Sequence, residues 1–481
     1  MLFIKKFLLL LSICSVASFA SESPSAVSEK KSEKQFEKKK EQKNALFLSL
    51  ENALLNNKEI LSAQRELMAV HENHVSASSA FKPNISANTT YQASDTDNWN
   101  SSLSGDDATN AKYNSKNNTK SAGIVVKQNL FRGLADIAAL KETDLQIRAK
   151  WSNYEAIKQK VLRDVAAYYF EIIAKKEEIA HLKALLDSRR ESVGVATEMH
   201  TSGAAKYLDV AQANASYAET EAKLSKAESD LSSLSAKFEE LTGMVVPVNI
   251  TTPEKFFDTS LTVKQGIDIA MKHNPGIIAA ADALAAAREA IRKPNAKLMP
   301  SIDASYSFDQ SIDTGSKPSA YSKSPRSHRG STFTVGMTIP IYDGGIGRAE
   351  KRQASEMATK AAVDKEKTIN ETKTEITSAW ASMAAARENI ASAKKAVEAR
   401  ELALHDTEEE YKAGLKITND VLKAQQELFE AKYIETQAEK EYFVSQCSAT
   451  ALVGRMNARY LKIKDSDFSY KSHFAKTRSR F

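Results

Sequence analysis

The chain has 481 residues, of which 27% are charged and 7% aromatic, and a formal charge of +6. Sixteen glycines and ten prolines are few for that length, which favours long uninterrupted helices over many loops. The positive charge is spread along the chain apart from Lys-rich segments near both ends, so the one-faced basic patch of a nucleic-acid binder is excluded.

The N-terminus has the grammar of an export signal. Lys5 and Lys6 precede an apolar stretch from Phe7 to Val16, and Ser18-Phe19-Ala20 places small residues before a cleavage point, so residues 1–20 are expected to be a signal peptide. The stretch falls short of the ~20 apolar residues of a membrane-spanning helix, and no later segment reaches that length. Cleavage after Ala20 removes Cys14 and leaves Cys447 alone, so no intrachain disulfide is expected. Lipidation at Cys14 is the alternative reading, against which Ile13 is bulkier than a typical lipobox accepts. Residues 21–44 are Ser, Lys and Glu with few apolar side chains, the composition of a disordered lead-in.

From Ala45 the pattern becomes helical, and two strand-like stretches follow, Asn84 to Tyr91 and Ser121 to Phe131, around a polar loop. From Leu134 to His200 there is no proline, and apolar residues recur at alternating spacings of four and three: Ile147, Trp151, Tyr154, Val161, Val165, Tyr168, Ile172, Ile179, Leu182, Leu186, Val193, Ala196. Lys158, Lys175 and Arg189 fill the remaining places of that heptad seam. A single helix over this segment would be ~100 Å long. Ile157, Ala166, Tyr169, Phe170 and Ile173 form a second apolar stripe, which requires neighbours on two sides of the helix, as in a closed tube. Gly203 marks a tight turn, after which Val210, Ala213, Tyr217, Leu224, Ala227, Leu231, Leu234, Phe238 and Leu241 form the seam of a returning helix.

The whole sequence of elements then recurs. Lys82-Pro83-Asn84-Ile85-Ser86-Ala87 reappears as Met299-Pro300-Ser301-Ile302-Asp303-Ala304, and Asn57, Ile60, Ala63, Leu67 and Glu72 fall on Asn274, Ile277, Ala280, Leu284 and Glu289. Asn129-Leu130-Phe131-Arg132-Gly133 corresponds to Pro340-Ile341-Tyr342-Asp343-Gly344, and Gly203, Asp209-Val210 and Gly243 to Gly414, Asp420-Val421 and Gly454, without an insertion between them. The second copy repeats the strands, Ser301 to Phe308 and Thr332 to Tyr342, and the seam, with Ile369, Ile376, Met383, Ile390, Val397 and Leu404. The expected domains are a first repeat over 45–250, a second over 251–457 and a basic tail over 458–481. Four amphipathic strands cannot close a barrel alone. In an exported protein without an apolar helix they suggest an outer-membrane barrel completed by oligomerisation.

These features together resemble the TolC family of outer-membrane factors over residues 45 to 457. The motifs that carry the likeness are Asn274-Pro275 heading an Ala-rich helix, Leu298-Met299-Pro300 before a strand, Ile339-Pro340-Ile341-Tyr342-Asp343-Gly344-Gly345 between strand and long helix, and Tyr411-Lys412-Ala413-Gly414 with Asp420-Val421-Leu422 at the turn. The resemblance implies a mainly α fold with a β-barrel part, in which three chains build a twelve-stranded barrel in outer-membrane lipid and a twelve-helix periplasmic tunnel. Residues near 245 to 270 and the C-terminal segment would form an equatorial belt. It also implies a passive duct, not an enzyme, serving a tripartite efflux pump or type I secretion system with a periplasmic adaptor protein and an inner-membrane transporter.

In the family, polar links at the helical turns close the periplasmic end, and the matching positions here are Leu208-Asp209, Tyr411 and Lys416. Leu208 lacks the family's hydroxyl, and Lys416 stands where an arginine fork is usual. Asp420 matches the first residue of an acidic ring that would set pore selectivity, while Lys423 replaces the second. Each position also has a plainer reading: Asp209 and Asp420 can cap the returning helices, and Tyr411 can be a packing residue. His71-Glu72-Asn73-His74 has helical metal-ligand spacing without an evident third ligand, so a solvated helix face is expected and no metal. Gly345-Ile346-Gly347 lacks the third glycine of a dinucleotide loop and is read as a strand-to-helix turn. Trp151 and Trp380 fit core positions. No nucleophile–base pair or acid pair stands out in the sequence, and no cofactor is implied. The competing reading is a structural coiled-coil envelope protein without transport activity, which accounts for the heptads and leaves the paired strands unexplained.

Overall fold

The structure is a computed structural model and describes residues 45–100, 111–248, 250–252, 261–316, 326–465 and 468. The expected signal peptide and lead-in, and most of the basic tail, lie outside the described residues. Two short helices, α1 (Ala45–Asn56) and α2 (Lys58–Ser78), lead into strands β1 (Asn84–Asn100) and β2 (Ala111–Arg132), the long helix α3 (Ala135–Thr201) and the returning helix α4 (Tyr207–Thr242). The second copy repeats this order with α5 (Val263–His273), α6 (Pro275–Ala290), the single turn α7 (Arg292–Asn295), β3 (Ser301–Ser316), β4 (Arg326–Thr338), the long helix α8 (Ile346–Lys412) and the returning helix α9 (Thr418–Leu452), followed by one turn, α10 (Ala458–Leu461). Both long helices have 67 residues, about 100 Å each.

The backbone repeats as closely as the sequence. Left-handed residues stand at matched places in the two copies: Gly133 and Gly344 before the long helices, Gly203 and Gly414 at the turns, Gly243 and Gly454 after the returning helices. Leu134, at φ 70°, takes the place that Gly345 holds at φ 88°. A side chain there costs about 1–2 kcal/mol.

Most of the heptad seam of α3 is buried, and two of its three charged members are buried with it, while Lys175 is half-buried. Ile147, Tyr154, Val161, Val165, Ile172, Ile179 and Leu182 are in the interior, together with Lys158 and Arg189. The second stripe is also used: Ala166, Tyr169 and Phe170 are buried, and α3 packs between α4 and α9 while α1, α2 and α6 cover its upper half. The main apolar core lies there, where Leu50, Ile60, Leu162, Phe238, Cys447 and Met456 converge. Residues after α9 fold back onto this core. Asp465 reaches Lys158 at 2.7 Å, and Phe468 lies against Trp151 and Tyr154.

A duplicated asparagine ties each repeat together. Asn57 Oδ1 accepts from the amides of Glu59 and Ile60 at the start of α2, while its Nδ2 donates to Leu241 O at the end of α4, 3.0 Å away. Asn274 Oδ1 caps α6 through Gly276 and Ile277, and its Nδ2 donates to Leu452 O at 2.8 Å. Matched positions on the long helices likewise hold the linker between repeats, where Tyr169 Oη donates to Thr251 O and Trp380 Nε1 to Leu261 O.

The four strands form one antiparallel sheet in the order β1-β2-β3-β4. They are longer than side-chain alternation suggests: β1 pairs with β2 from Asn84↔Lys127 out to Asn100↔Ala111. The sequence marks only the apolar part, because the main-chain ladder continues through Ser, Asn and Thr and its bonds do not depend on side-chain polarity. At the other end β4 stops at Thr338, short of the expected Tyr342, just before Pro340, which has no N–H for the ladder. No helix among the described residues is long and apolar enough to cross a membrane.

Candidate functional site

Two features of the fold can carry function: the faces of the sheet and the helical turns at the far end. The register places Ile85, Val126, Tyr306 and Phe333 in one cross-strand row, Ala87, Ile124 and Phe308 in the next, and Ile302 with Met337 further along. Paired residues share a face, so these rows make one apolar surface, and Ile85, Tyr306, Phe333 and Met337 on it are exposed. The opposite face carries Ser86, Val125, Ser307 and Thr332, then Asn88, Gly123, Asp309 and Gly330. The apolar rows run from Ile302 to Phe308 on β3, about 20 Å along the strand, and the next row carries Gln310 and Arg329.

The turns are built alike. The amides of Ser202 and Gly203 donate to Glu198 O and His200 O, and those of Ala413 and Gly414 donate to Glu409 O and Tyr411 O. Positive φ at Gly203 and Gly414 lets the chain reverse after each long helix. Asp209 Oδ2 then accepts from the Lys206 amide at 3.0 Å, and Asp420 Oδ2 from the Ile417 amide at 3.2 Å. Within the chain both aspartates therefore cap the first turn of a returning helix, where a carboxylate also meets the positive end of the helix dipole.

Tyr411 does more than fill space. Its hydroxyl donates to Met199 Sδ at 3.1 Å, across to the first hairpin, and lies 3.3 Å from Thr418 Oγ1. Lys416 Nζ sits 3.7 Å from Glu410 on its own hairpin, and Lys423 Nζ 4.0 Å from Glu427. Leu208 is 60% exposed, beside the exposed Tyr207, and Leu415 and Ile417 are exposed at the second turn. The fold thus joins Tyr411 to the first hairpin but does not bring Asp209, Tyr411 and Lys416 into one cluster within a single chain. Met199, Thr418 and Glu410 were not foreseen. Met199 aligns with Glu410 in the other copy, so the repeat itself offers no hint of a thioether acceptor.

The other sequence candidates stay local. His71 and His74 have ring centroids 6.2 Å apart, and His74 Nδ1 lies 2.8 Å from Asp144 Oδ1. Among the described residues no group of three His, Cys, Asp or Glu side chains is placed to hold a metal ion. The Asp343 carboxylate accepts from the amides of Gly345 and Gly347, which makes this segment a strand-to-helix turn. Cys447 is buried, and that burial pushes its thiol pKa far up, so it is an unreactive core residue.

Comparison with known proteins points the same way. Residues 49–244 and 266–455 match the family described as "Outer membrane efflux protein". The chain is 27% identical over 433 residues to the outer membrane efflux protein BepC of Brucella suis biovar 1, covering 90% of each chain. It is 23% identical over 354 residues to the outer membrane protein TolC of Escherichia coli K12, covering 72% of this chain and 71% of that one. Its fold superposes on the crystal structure of a membrane protein from Pseudomonas aeruginosa with a TM-score of 0.73 at 19% identity, over 85% of this chain and 90% of that one.

Proposed function

The chain belongs to the outer membrane efflux protein family, and from that membership we infer that it is the outer-membrane channel of a tripartite efflux pump or type I secretion system. It resides in the outer membrane and extends into the periplasm. Drugs or secreted polypeptides pass through it from periplasm to exterior. The observation that carries this reading is the pairing of a sheet apolar on one face with two 67-residue helices per chain. A tethering coiled coil has no use for such a sheet.

Among the described residues the sheet has two free edges, β1 and β4, whose backbone groups need partners within a membrane. Three chains supply them by closing a twelve-stranded barrel, so the working unit is a homotrimer. A periplasmic adaptor protein and an inner-membrane transporter drive the flow, and the chain itself catalyses nothing.

The periplasmic end is gated at the two turns. Tyr411 holds the second hairpin to the first through Met199, and Lys416, Asp209 and Leu208 line the same end. A charged or hydroxyl bond there contributes about 1–3 kcal/mol, and threefold symmetry multiplies it. Closure is then a two-state equilibrium that a partner shifts by binding the open form better. The double variant Tyr411→Phe with Lys416→Ser is expected to raise single-channel conductance in planar bilayers and to sensitise cells to large antibiotics such as vancomycin. Unchanged conductance at normal trimer levels, with only a lower melting temperature, would reduce these residues to packing and capping. In the same recordings Asp420→Ala weakens cation preference without opening the pore, by an amount limited by the nearby Lys423. An unaltered reversal potential would remove Asp420 from the selectivity role.

A further inference from the structure

The seam between α3 and α9, which joins the two hairpins of one chain, changes character along its length. At mid-height it is aromatic: Phe170 of α3 stacks on Phe443 of α9 with centroids 4.8 Å apart and planes within 11°. Closer to the turns it is polar. Gln425 Nε2 donates to Ser188 Oγ at 2.6 Å, and Arg189 Nη2 donates to Leu422 O at 2.7 Å.

Arg189 is the unusual member. It is 3% exposed and lies about 20 Å along α3 from the turn at Gly203. A guanidinium presents five N–H donors, yet Arg189 Nε and Nη1 have no hydrogen-bond partner among the described residues, and neither has Gln425 Oε1 beside it. Burial draws the guanidinium pKa down, and the Glu219 carboxylate only partly offsets this. The other repeat shows what a satisfied version looks like. Arg400 holds the matched position on α8, is half-exposed, and pairs with Glu427 of α9. The position in α4 that matches Glu427 is Ser216, so the first copy lacks the carboxylate.

A buried cation with one carbonyl acceptor does not recover its hydration, and replacing such groups by apolar ones of similar volume often tightens a structure. We propose that Arg189 acts as a built-in opener of the channel: its buried, under-satisfied guanidinium biases the turn-proximal part of α9 to separate from α3, while the Phe170–Phe443 stack stays as the fixed end of the seam. Parting the hairpins lets water reach the fork, so the open form gains what the closed form lacks. This inference rests on the gating reading for where the movement matters, but not for whether the seam opens. It assigns the closing force to Tyr411 at the turn and the opening force to Arg189 above it.

The test is hydrogen exchange on the intact trimer in detergent, read over residues 418–426. Arg189→Met is expected to slow exchange there by about tenfold. Arg189→Gln, which keeps fewer unmatched donors, should slow it less, and Arg189→Lys, which keeps the charge, should stay near wild type. Arg400→Met should give no slowing. Unchanged or faster exchange in both Arg189→Met and Arg189→Gln would overturn the proposal, and either variant alone suffices if the other fails to assemble. In bilayers, Arg189→Met added to Tyr411→Phe with Lys416→Ser should bring the raised conductance back toward the wild-type value. If the double variant shows no raised conductance to begin with, the gating reading falls, and the exchange result still decides the role of Arg189.

Discussion

The two long helices have the same length, the same flanking turns and the same seam, yet they occupy different environments. α3 has twenty buried residues among those described, and α8 has seven. α3 is enclosed by α1, α2, α4, α6 and α9, whereas α8 leans on α9 and on the short helices α5, α6 and α7. Duplication therefore preserved the pattern of the helix and not its surroundings. An apolar seam that stays half-exposed in one chain needs covering, and in the proposed trimer the neighbouring chains cover it.

Core truncation tests this difference with the largest expected effect. Ile172 of α3 is fully buried, and its counterpart on α8 is the half-buried Met383. Ile172→Ala should cost about 2–5 kcal/mol. Met383→Ala should cost clearly less in dissociated chains and approach that figure in the assembled trimer, as read by thermal unfolding in detergent. A wide gap that persists in the trimer would mean that the α8 face is not an interface.

The asparagine ties test where the two copies should agree. Asn57→Ala and Asn274→Ala each remove a helix cap and a bond to the end of the returning helix, for about 1–3 kcal/mol. Asn57 is only 3% exposed, so its loss should be the larger of the two in denaturant unfolding. The opposite order would show that the second tie is the more important one.

The smallest expected effect concerns the segment after α10. Burial alone would pull the Lys158 pKa down, but Glu155, Asp465 and the Tyr154 phenol group outweigh it and leave the pKa raised. A lysine raised on folding adds stability that is fully present below its unfolded value and is lost as pH climbs through the folded one. The Lys158–Asp465 contact should therefore hold from about pH 6 to about pH 9 and weaken only above about 10.4. The emission of Trp151, which stacks on Phe468, reports it in a variant whose other two tryptophans are Phe. A spectral shift near neutral pH would count against lysine as the anchor.

Much of the fold was legible because its determinants are local. Heptad spacing and the absence of proline define α3. The strand ends were not legible, since polar strands in water and polar loops have the same composition. Within the candidate site, Asp209 and Asp420 at the turns were visible as caps, but the Tyr411–Met199 contact joins residues on different hairpins and leaves no trace in either segment.

By itself the sequence determined the number of repeats, the length of the helices and where each reverses, because spacing and single glycines act over a few residues. Only the tertiary structure decided which of two equivalent helices lies inside, and which of two equivalent arginines, Arg189 or Arg400, is buried without an ion pair. Burial depends on what packs against a side chain in space, and identical patterns carry no record of it.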